Sequence, residues 1–227
     1  MKITKNWLYI INNNEKNITI EDNLNVIIFD ELNILEKVEL WENSIVDIFW
    51  YIENTSVYNF SVVINWKNSK LKLWYLLIAW DWEKIQAKIL SKINANNSNA
   101  KLKIISIVWN NGHIDIDWIL DISEWIKEIK WDLIEENIFI GDSGKINSIP
   151  NLFVWSNDVR ASHSCKTERI SDERLFYLRS RWIKKEKSIS MMLESYPNLL
   201  YKCLTMVDND YYMSLINKIN SKIKTIN

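Results

Sequence analysis

Glycine is the residue that this chain most conspicuously lacks, with only 3 in 227 residues. Average usage of about 7% would give roughly sixteen. The chain has two cysteines, which are too few for a disulfide framework and indicate a reducing compartment. Its net charge of −1 gives no field that would attract nucleic acid. The first apolar run ends at Asn12, too early for a signal peptide or a membrane span. We therefore expect a cytoplasmic protein with no nucleic-acid or membrane partner.

Tryptophan is as abundant as glycine is scarce, since the chain contains 13. Several of these residues follow Asn or Asp, where Asn-Gly or Asp-Gly would form a tight turn with positive φ. These dipeptides are Asn6-Trp7, Asn65-Trp66 and Asp81-Trp82. Trp182 follows a helical pattern at the position where a terminating glycine is favoured. We interpret most of the tryptophans as UGA codons that specify glycine in the native organism. The alternative is a genuinely Trp-rich chain, such as a carbohydrate binder with aromatic platforms.

Short runs of alternating apolar and polar residues fill the chain between residues 45 and 120. Each run ends at Asn, Asp, Ser or a tryptophan, which is typical of a β-strand followed by a turn. Many short strands without intervening helices predict a sandwich, a barrel or a β-solenoid. Regular turn signals up to Gly141 favour a parallel β-helix, with a sandwich as the alternative. The predicted strands cover residues 45–49, 57–64, 71–79, 85–93, 102–108 and 113–120.

The hydrophobic period becomes helical after residue 170. Ser171 can cap a first helix, whose apolar face would include Leu175, Phe176 and Leu178. The predicted helices begin at Ser171, Lys184 and Asp208, and they end near Arg181, near Ser195 before Pro197, and near Lys224. We therefore predict a mainly β protein, with a β-helix core at residues 1–170 and a C-terminal helical domain at residues 171–227.

Two segments carry residues capable of site chemistry. His113, Asp115 and Asp117 would share one face of a strand, where they could bind a metal or transfer protons, or simply form a solvated face. His163 and Cys165 would also point the same way and offer an imidazole and a thiolate to iron or zinc. Two donors do not complete a metal site, so others must come from elsewhere or from a partner chain. On chemistry alone, a packed cysteine and a hydrogen-bonded histidine are the alternative.

With tryptophan read as glycine, residues 150–183 resemble the C-terminal signature of the SufB/SufD family of iron–sulfur cluster assembly proteins. The likeness is specific in Asp-Val-Arg-Ala-Ser-His at residues 158–163. It is equally specific in Leu-Phe-Tyr-Leu-Arg-Ser-Arg-Trp-Ile at residues 175–183, where Trp182 replaces the family's glycine. The likeness is looser between His113 and Gly141. Before residue 100 it lies only in the general character of the sequence. The resemblance implies a right-handed parallel β-helix followed by a small helical domain.

The resemblance also implies a non-catalytic scaffold. Such a subunit pairs with a SufB-type subunit through the β-helix, or with a second copy, and docks a SufC-type ATPase that hydrolyses ATP. A nascent iron–sulfur cluster would be held transiently between the partners, and none would be bound stably by this chain alone. His163 matches the histidine at the subunit interface and is a candidate metal ligand, and Cys165 is a second candidate. The residues that match the ATPase-docking segment are Phe176, Tyr177, Leu178, Arg179 and Arg181.

Two departures from the family pattern favour a SufD-type over a SufB-type role. SufB-type members carry a glutamate directly after the histidine, where this chain has Ser164, and a cysteine on a preceding strand, near Glu135 here. Family members are commonly longer and have an N-terminal helical region, so we expect a minimal member, a fragment or a divergent one. The remaining alternatives are a β-helix that binds or acts on polysaccharide, with Asp115 and Asp117 as acid and base, and a purely structural β-solenoid.

Overall fold

The computed structural model describes residues 1–225, in which two parallel β-sheets precede three α-helices. The chain alternates between the two sheets, so that odd-numbered strands form one and even-numbered strands the other. The first sheet comprises β1 (Lys2–Ile3), β3 (Asn17–Ile20), β5 (Lys37–Leu40), β7 (Ser56–Ile64), β9 (Lys84–Ile93), β11 (His113–Ile122) and β13 (Lys145–Val154). The second comprises β2 (Trp7–Ile11), β4 (Asn25–Asp30), β6 (Ile45–Glu53), β8 (Lys70–Ala79), β10 (Asn99–Trp109), β12 (Ile129–Ile140) and β14 (Val159–Arg169).

Each strand pairs with the strand two positions along the chain, which is the arrangement of a β-solenoid. His113 on β11, for example, lies in register with Lys84 on β9 and Lys145 on β13. The expected parallel β-helix with C-terminal helices is therefore confirmed, and the sandwich alternative is wrong. All six predicted strands form, and each is one to four residues longer than the alternation indicated.

Inward-facing side chains stack in columns through successive coils and form the hydrophobic core. One column runs through Val26, Val46, Leu71, Ala100 and Trp131. A second runs through Ile28, Ile48, Leu73, Leu102 and Leu133. Burying each large aliphatic side chain contributes about 1.5–3 kcal/mol, so these columns stabilise the stacking of the coils.

The corners between strands use left-handed backbone conformations, mostly at asparagine. Asn23, Asn43, Asn68 and Asn97 have φ between 53° and 62° and join into a ladder of side-chain amide hydrogen bonds. Asparagine tolerates this region because its short side chain bonds locally, and this explains part of the low glycine content.

Three of the tryptophans also have left-handed backbone conformations: Trp82 has φ 72°, Trp125 φ 64° and Trp182 φ 65°. A bulky residue is strained there, whereas glycine is not. These angles favour the glycine interpretation at the three positions, although the interpretation itself stays a prediction. Trp7 and Trp66, at the other two proposed turn dipeptides, are not left-handed, and Trp7 begins β2.

The chain divides into two compact units, residues 1–167 and residues 168–227. In the second unit, the helices are α1 (Asp172–Arg179), α2 (Lys185–Leu200) and α3 (Asn209–Lys224), with a 3-10 helix (Lys202–Met206) before α3. Ser171 precedes α1 as expected, but its hydroxyl bonds the Glu173 carboxylate rather than a backbone amide. Asp208 caps α3 by accepting the Tyr211 amide at 2.9 Å. Within residues 1–225, none of the helices combines the length and apolar character needed to cross a membrane.

The predicted end of the second helix near Ser195 is wrong, because α2 continues through Pro197 to Leu200. Proline lacks the amide that would continue the helical ladder, which ordinarily ends or bends a helix. Here the helix continues because Leu193 and Leu200, on either side of Pro197, are both buried. Tertiary burial outweighs the local preference.

Candidate functional site

Asp158, the first residue of the specific motif, attaches β14 to the preceding coil. Its Oδ2 accepts the backbone amide of Glu128 at 3.1 Å, and its carbonyl oxygen accepts that of Ile129 at 3.2 Å. Ile129 is the first residue of β12, so these bonds join the beginnings of β12 and β14. The motif therefore sets the register that places the side chains of β14 against those of β12.

His163 on β14 forms a pair with Glu135 on β12. The His163 Nε2 lies 2.8 Å from the Glu135 Oε2. The carboxylate is buried, with 2% of its side chain exposed, whereas 28% of the imidazole is exposed. Ser148 on β13 donates its hydroxyl to the other oxygen of Glu135. The carboxylate is therefore held from both sheets, and it presents the imidazole towards solvent.

Cys165 forms a second pair with the same two strands. Its Sγ accepts a hydrogen bond from the Asn137 side-chain amide at 3.4 Å. Glu135 and Asn137 are two residues apart on β12, and each contacts one of two residues that are two apart on β14. His163 and Cys165 therefore lie on one face of β14, as strand alternation predicts. Cys165 is exposed and is not a packed core cysteine. Within residues 1–225, no three His, Cys, Asp or Glu side chains converge as a metal-binding group.

Glu135 and Asn137 are polar residues at buried positions of β12, and Glu135 replaces an apolar side chain of the preceding coil. Glu135 is in register with Ile104, and Asn137 with Ser106. A buried carboxylate costs several kcal/mol unless it is paired and hydrogen-bonded, so its placement requires a specific partner. The sequence indicated Glu135 only as the position nearest the SufB-type cysteine, with no role of its own, and it did not indicate Asn137. The available signal was the alternation of β12, in which Trp131 and Leu133 predict that residue 135 faces inward.

The face that carries His113, Asp115 and Asp117 has a different character. The Asp115 Oδ1 lies 2.8 Å from the His113 Nε2 and accepts the Asn147 amide at 2.8 Å, while its Oδ2 lies 3.5 Å from the Lys84 Nζ. Partial burial opposes ionisation, but the bonds from Asn147 and His113 and the lysine charge together lower the pKa of Asp115. Asp117 likewise has an amide and a lysine partner. These contacts are the ones expected of a solvated strand face whose charged side chains form ion pairs.

The ATPase-docking residues lie on and just beyond α1. The side chains of Phe176 and Tyr177 are 71% and 61% exposed, so the predicted apolar face is wrong for Phe176. Leu178 is half-buried. The Arg181 guanidinium lies 4.5 Å from the centre of the Tyr177 ring, and Arg179 contacts the first-turn aspartate at 3.3 Å. Exposed aromatic residues beside arginine are typical of the central residues of protein interfaces.

Residues 47–196, about two thirds of the chain, match the family model for the SUF system FeS cluster assembly, SufBD core domain. The iron–sulfur cluster assembly protein SufD of Escherichia coli K12 is 24% identical over 147 residues, which are 65% of this chain and 35% of that protein. The SufBD family protein ycf24 of Porphyra purpurea is 29% identical over 83 residues, 35% of this chain and 17% of that protein. A SufBD family protein of Staphylococcus haemolyticus is 25% identical over 120 residues, 53% of this chain and 25% of that protein. The chain therefore spans about a third or less of these relatives.

Proposed function

The chain belongs to the SufBD core family of the SUF iron–sulfur cluster assembly system, and we propose that it acts in the cytoplasm as a SufD-like scaffold subunit. The observation that carries the proposal is that the family match includes the pair formed by the buried Glu135 and the solvent-facing His163 on the last strands of the solenoid. Ser164, and Glu135 near the position of the SufB-type cysteine, favour the SufD-type role. In this role the chain provides a surface for assembly, and its partner ATPase hydrolyses ATP.

The nascent iron–sulfur cluster is the substrate of the proposed site. His163 offers one nitrogen donor and Cys165 one sulfur donor, and both ligand types suit iron. An iron–sulfur cluster takes about four protein ligands, so two donors from this chain leave places for donors from a partner chain. The cluster would therefore be shared and transient.

The final strands of the solenoid offer an edge for the SufB-type subunit. β13 and β14 are the terminal strands of their sheets, and a terminal strand presents backbone groups for further pairing. β13 also exposes apolar side chains, namely Ile149, Leu152, Phe153 and Val154. Covering this edge would remove apolar surface from water and bring partner ligands beside His163. A second copy of the chain is the alternative occupant.

Reconstitution of the complex tests the proposal. We expect the purified chain alone to hydrolyse no ATP and to lose any reconstituted cluster on desalting. Mixing it with a SufB-type subunit, a SufC-type ATPase, iron and a sulfide source is expected to give a complex that retains the cluster. The measurements are phosphate release and the iron and acid-labile sulfide retained per complex. ATP hydrolysis by the chain itself, or a cluster held without any partner, would contradict the scaffold role.

The double variant F176A/Y177A tests docking of the ATPase. We expect it to weaken binding by at least about 30-fold, because central aromatic residues of an interface often contribute 2 kcal/mol or more. Isothermal titration with the SufC-type ATPase measures the affinity. Circular dichroism checks that the helices remain folded.

Leu199→Ala provides the matched control, because Leu199 is equally exposed on α2 but lies outside the matching segment. We expect this variant to bind the ATPase as tightly as the wild-type chain. If both variants bind normally, α1 is not the docking element, and equal losses in both would indicate a non-specific effect.

A further inference from the structure

We propose that Glu135 and Asn137 are positioning residues, which orient the two candidate ligands His163 and Cys165 towards ferrous iron of the nascent cluster. The inference rests on the proposed function and deepens it. It assigns separate tasks to two neighbouring strands: β14 supplies the ligand atoms, and β12 fixes their orientation.

The hydrogen bond to Glu135 determines which nitrogen of His163 can bind a metal. An ionised carboxylate only accepts hydrogen bonds, so we assign the proton to the His163 Nε2, which donates it to Oε2 at 2.8 Å. In the neutral imidazole the lone pair then resides on Nδ1. A histidine that donates its second N–H to a carboxylate is the usual arrangement of a metal ligand, because the bond fixes the ring and increases its basicity.

Glu135 is placed to orient the imidazole and not to bind the metal itself. Its side chain is buried, with 2% exposed, and its two oxygens are engaged by His163 and by Ser148 from the opposite sheet. Contacts from both sheets therefore hold the carboxylate in this orientation. The imidazole is the more exposed member of the pair and is therefore the group that a cluster can reach.

Asn137 performs the same task for Cys165. Its amide donates to the Cys165 Sγ at 3.4 Å, and its side chain is largely buried. An amide donor restrains the thiol without supplying a competing ligand. The Glu135–His163 and Asn137–Cys165 contacts are two residues apart on each strand. The nitrogen and sulfur donors are therefore held on the same side of β14.

The variant E135L tests the role of the carboxylate, since leucine fills similar volume but accepts no hydrogen bond. We expect it to reduce cluster yield in the reconstituted complex by about 10-fold, the lower end of the range for lost outer-shell contacts to metal ligands. E135Q keeps an oxygen acceptor and is expected to retain most of the yield. The yield is measured as iron and acid-labile sulfide per complex.

A proton NMR signature separates positioning from a merely structural role. In the full chain without metal, the Nε2 proton of His163 is expected as a downfield resonance protected from exchange with water. E135Q should keep this resonance and E135L should lose it. Its absence from the wild-type spectrum would overturn the proposal, whether or not any variant folds.

Glu136 is the matched control, because it is the adjacent carboxylate on β12 and forms an ion pair with Lys103 at 2.9 Å. E136L should leave both the resonance and the cluster yield unchanged. If H163A impairs the yield and a folded E135L does not, positioning by Glu135 is wrong while the scaffold function stands. If H163A itself has no effect, the assigned site of cluster formation is wrong.

Discussion

Replacing His163 by alanine is expected to abolish cluster formation in the complex while the complex itself still assembles. The imidazole is the nitrogen donor of the proposed site, and its loss leaves the buried Glu135 carboxylate with the Ser148 hydroxyl but without its imidazole partner. Loss of a ligand should exceed the about 10–100-fold effect of losing an outer-shell contact. Iron and acid-labile sulfide per complex measure the yield, and size-exclusion chromatography measures assembly.

His113→Ala provides the control, since the chain has two histidines and both contact a carboxylate. His113 lies on β11 and bonds the ion-paired Asp115, so its removal should leave the cluster yield at the wild-type level. An unchanged yield in H163A would refute the role of His163. A similar loss in both variants would indicate a general effect of removing an imidazole from the solenoid.

Replacing Trp82 and Trp125 together by glycine is expected to raise the free energy of unfolding of the solenoid unit by about 2 kcal/mol. A left-handed backbone conformation costs a non-glycine residue about 1–2 kcal/mol, and glycine avoids this cost at a smaller loss of chain entropy. Both side chains are exposed, so their removal sacrifices little buried area. The increase corresponds to a rise in Tm of about 4–8 °C, which thermal unfolding by circular dichroism can measure.

Trp7→Gly is the appropriate comparison, because Trp7 is similarly exposed but lies in β2 without a left-handed backbone. There we expect a loss of about 0.5–1 kcal/mol, since glycine in a strand costs entropy and relieves no strain. If W82G/W125G destabilises the protein as W7G does, the two corners do not prefer glycine. The codons decide the wider interpretation of the tryptophans as glycines. UGG at Trp66, Trp82, Trp118 and Trp182 would refute it, and UGA would support it.

Two fully buried tryptophans differ in how well their indole N–H groups are hydrogen-bonded. Trp50 stacks on Tyr75 at 4.3 Å between ring centres and donates its indole N–H to Asp30 at 3.0 Å. Trp131 is equally buried, but among the described residues its indole N–H has no hydrogen-bond partner. An unsatisfied buried donor costs about 1–3 kcal/mol. The interior of the solenoid therefore accommodates the indole of Trp50 better than that of Trp131.

Most of the strands between residues 45 and 122 could be predicted because alternation is a local property of the chain. Residues 113–120, for example, alternate strictly and form most of β11. The strands before residue 45 and the strands β12 to β14 were not delimited. The early strands are short, β12 carries polar residues at inward positions, and β13 and β14 contain no buried residue. The predicted end of α2 was wrong because the helix-breaking effect of Pro197 is outweighed by the burial of leucines on either side of it.

The sequence by itself determined that a β-rich region precedes a helical unit and that His163 belongs to a family motif. Both conclusions rest on signals within a few residues, namely hydrophobic period and the motif at residues 158–163. Only the tertiary structure decided that Glu135, 28 residues earlier, is the partner of His163. The length and turns of the intervening coil set that register, and a shift of one residue would turn the inward side chains outward. The site therefore depends on how the coils stack, which alternation along a single strand does not specify.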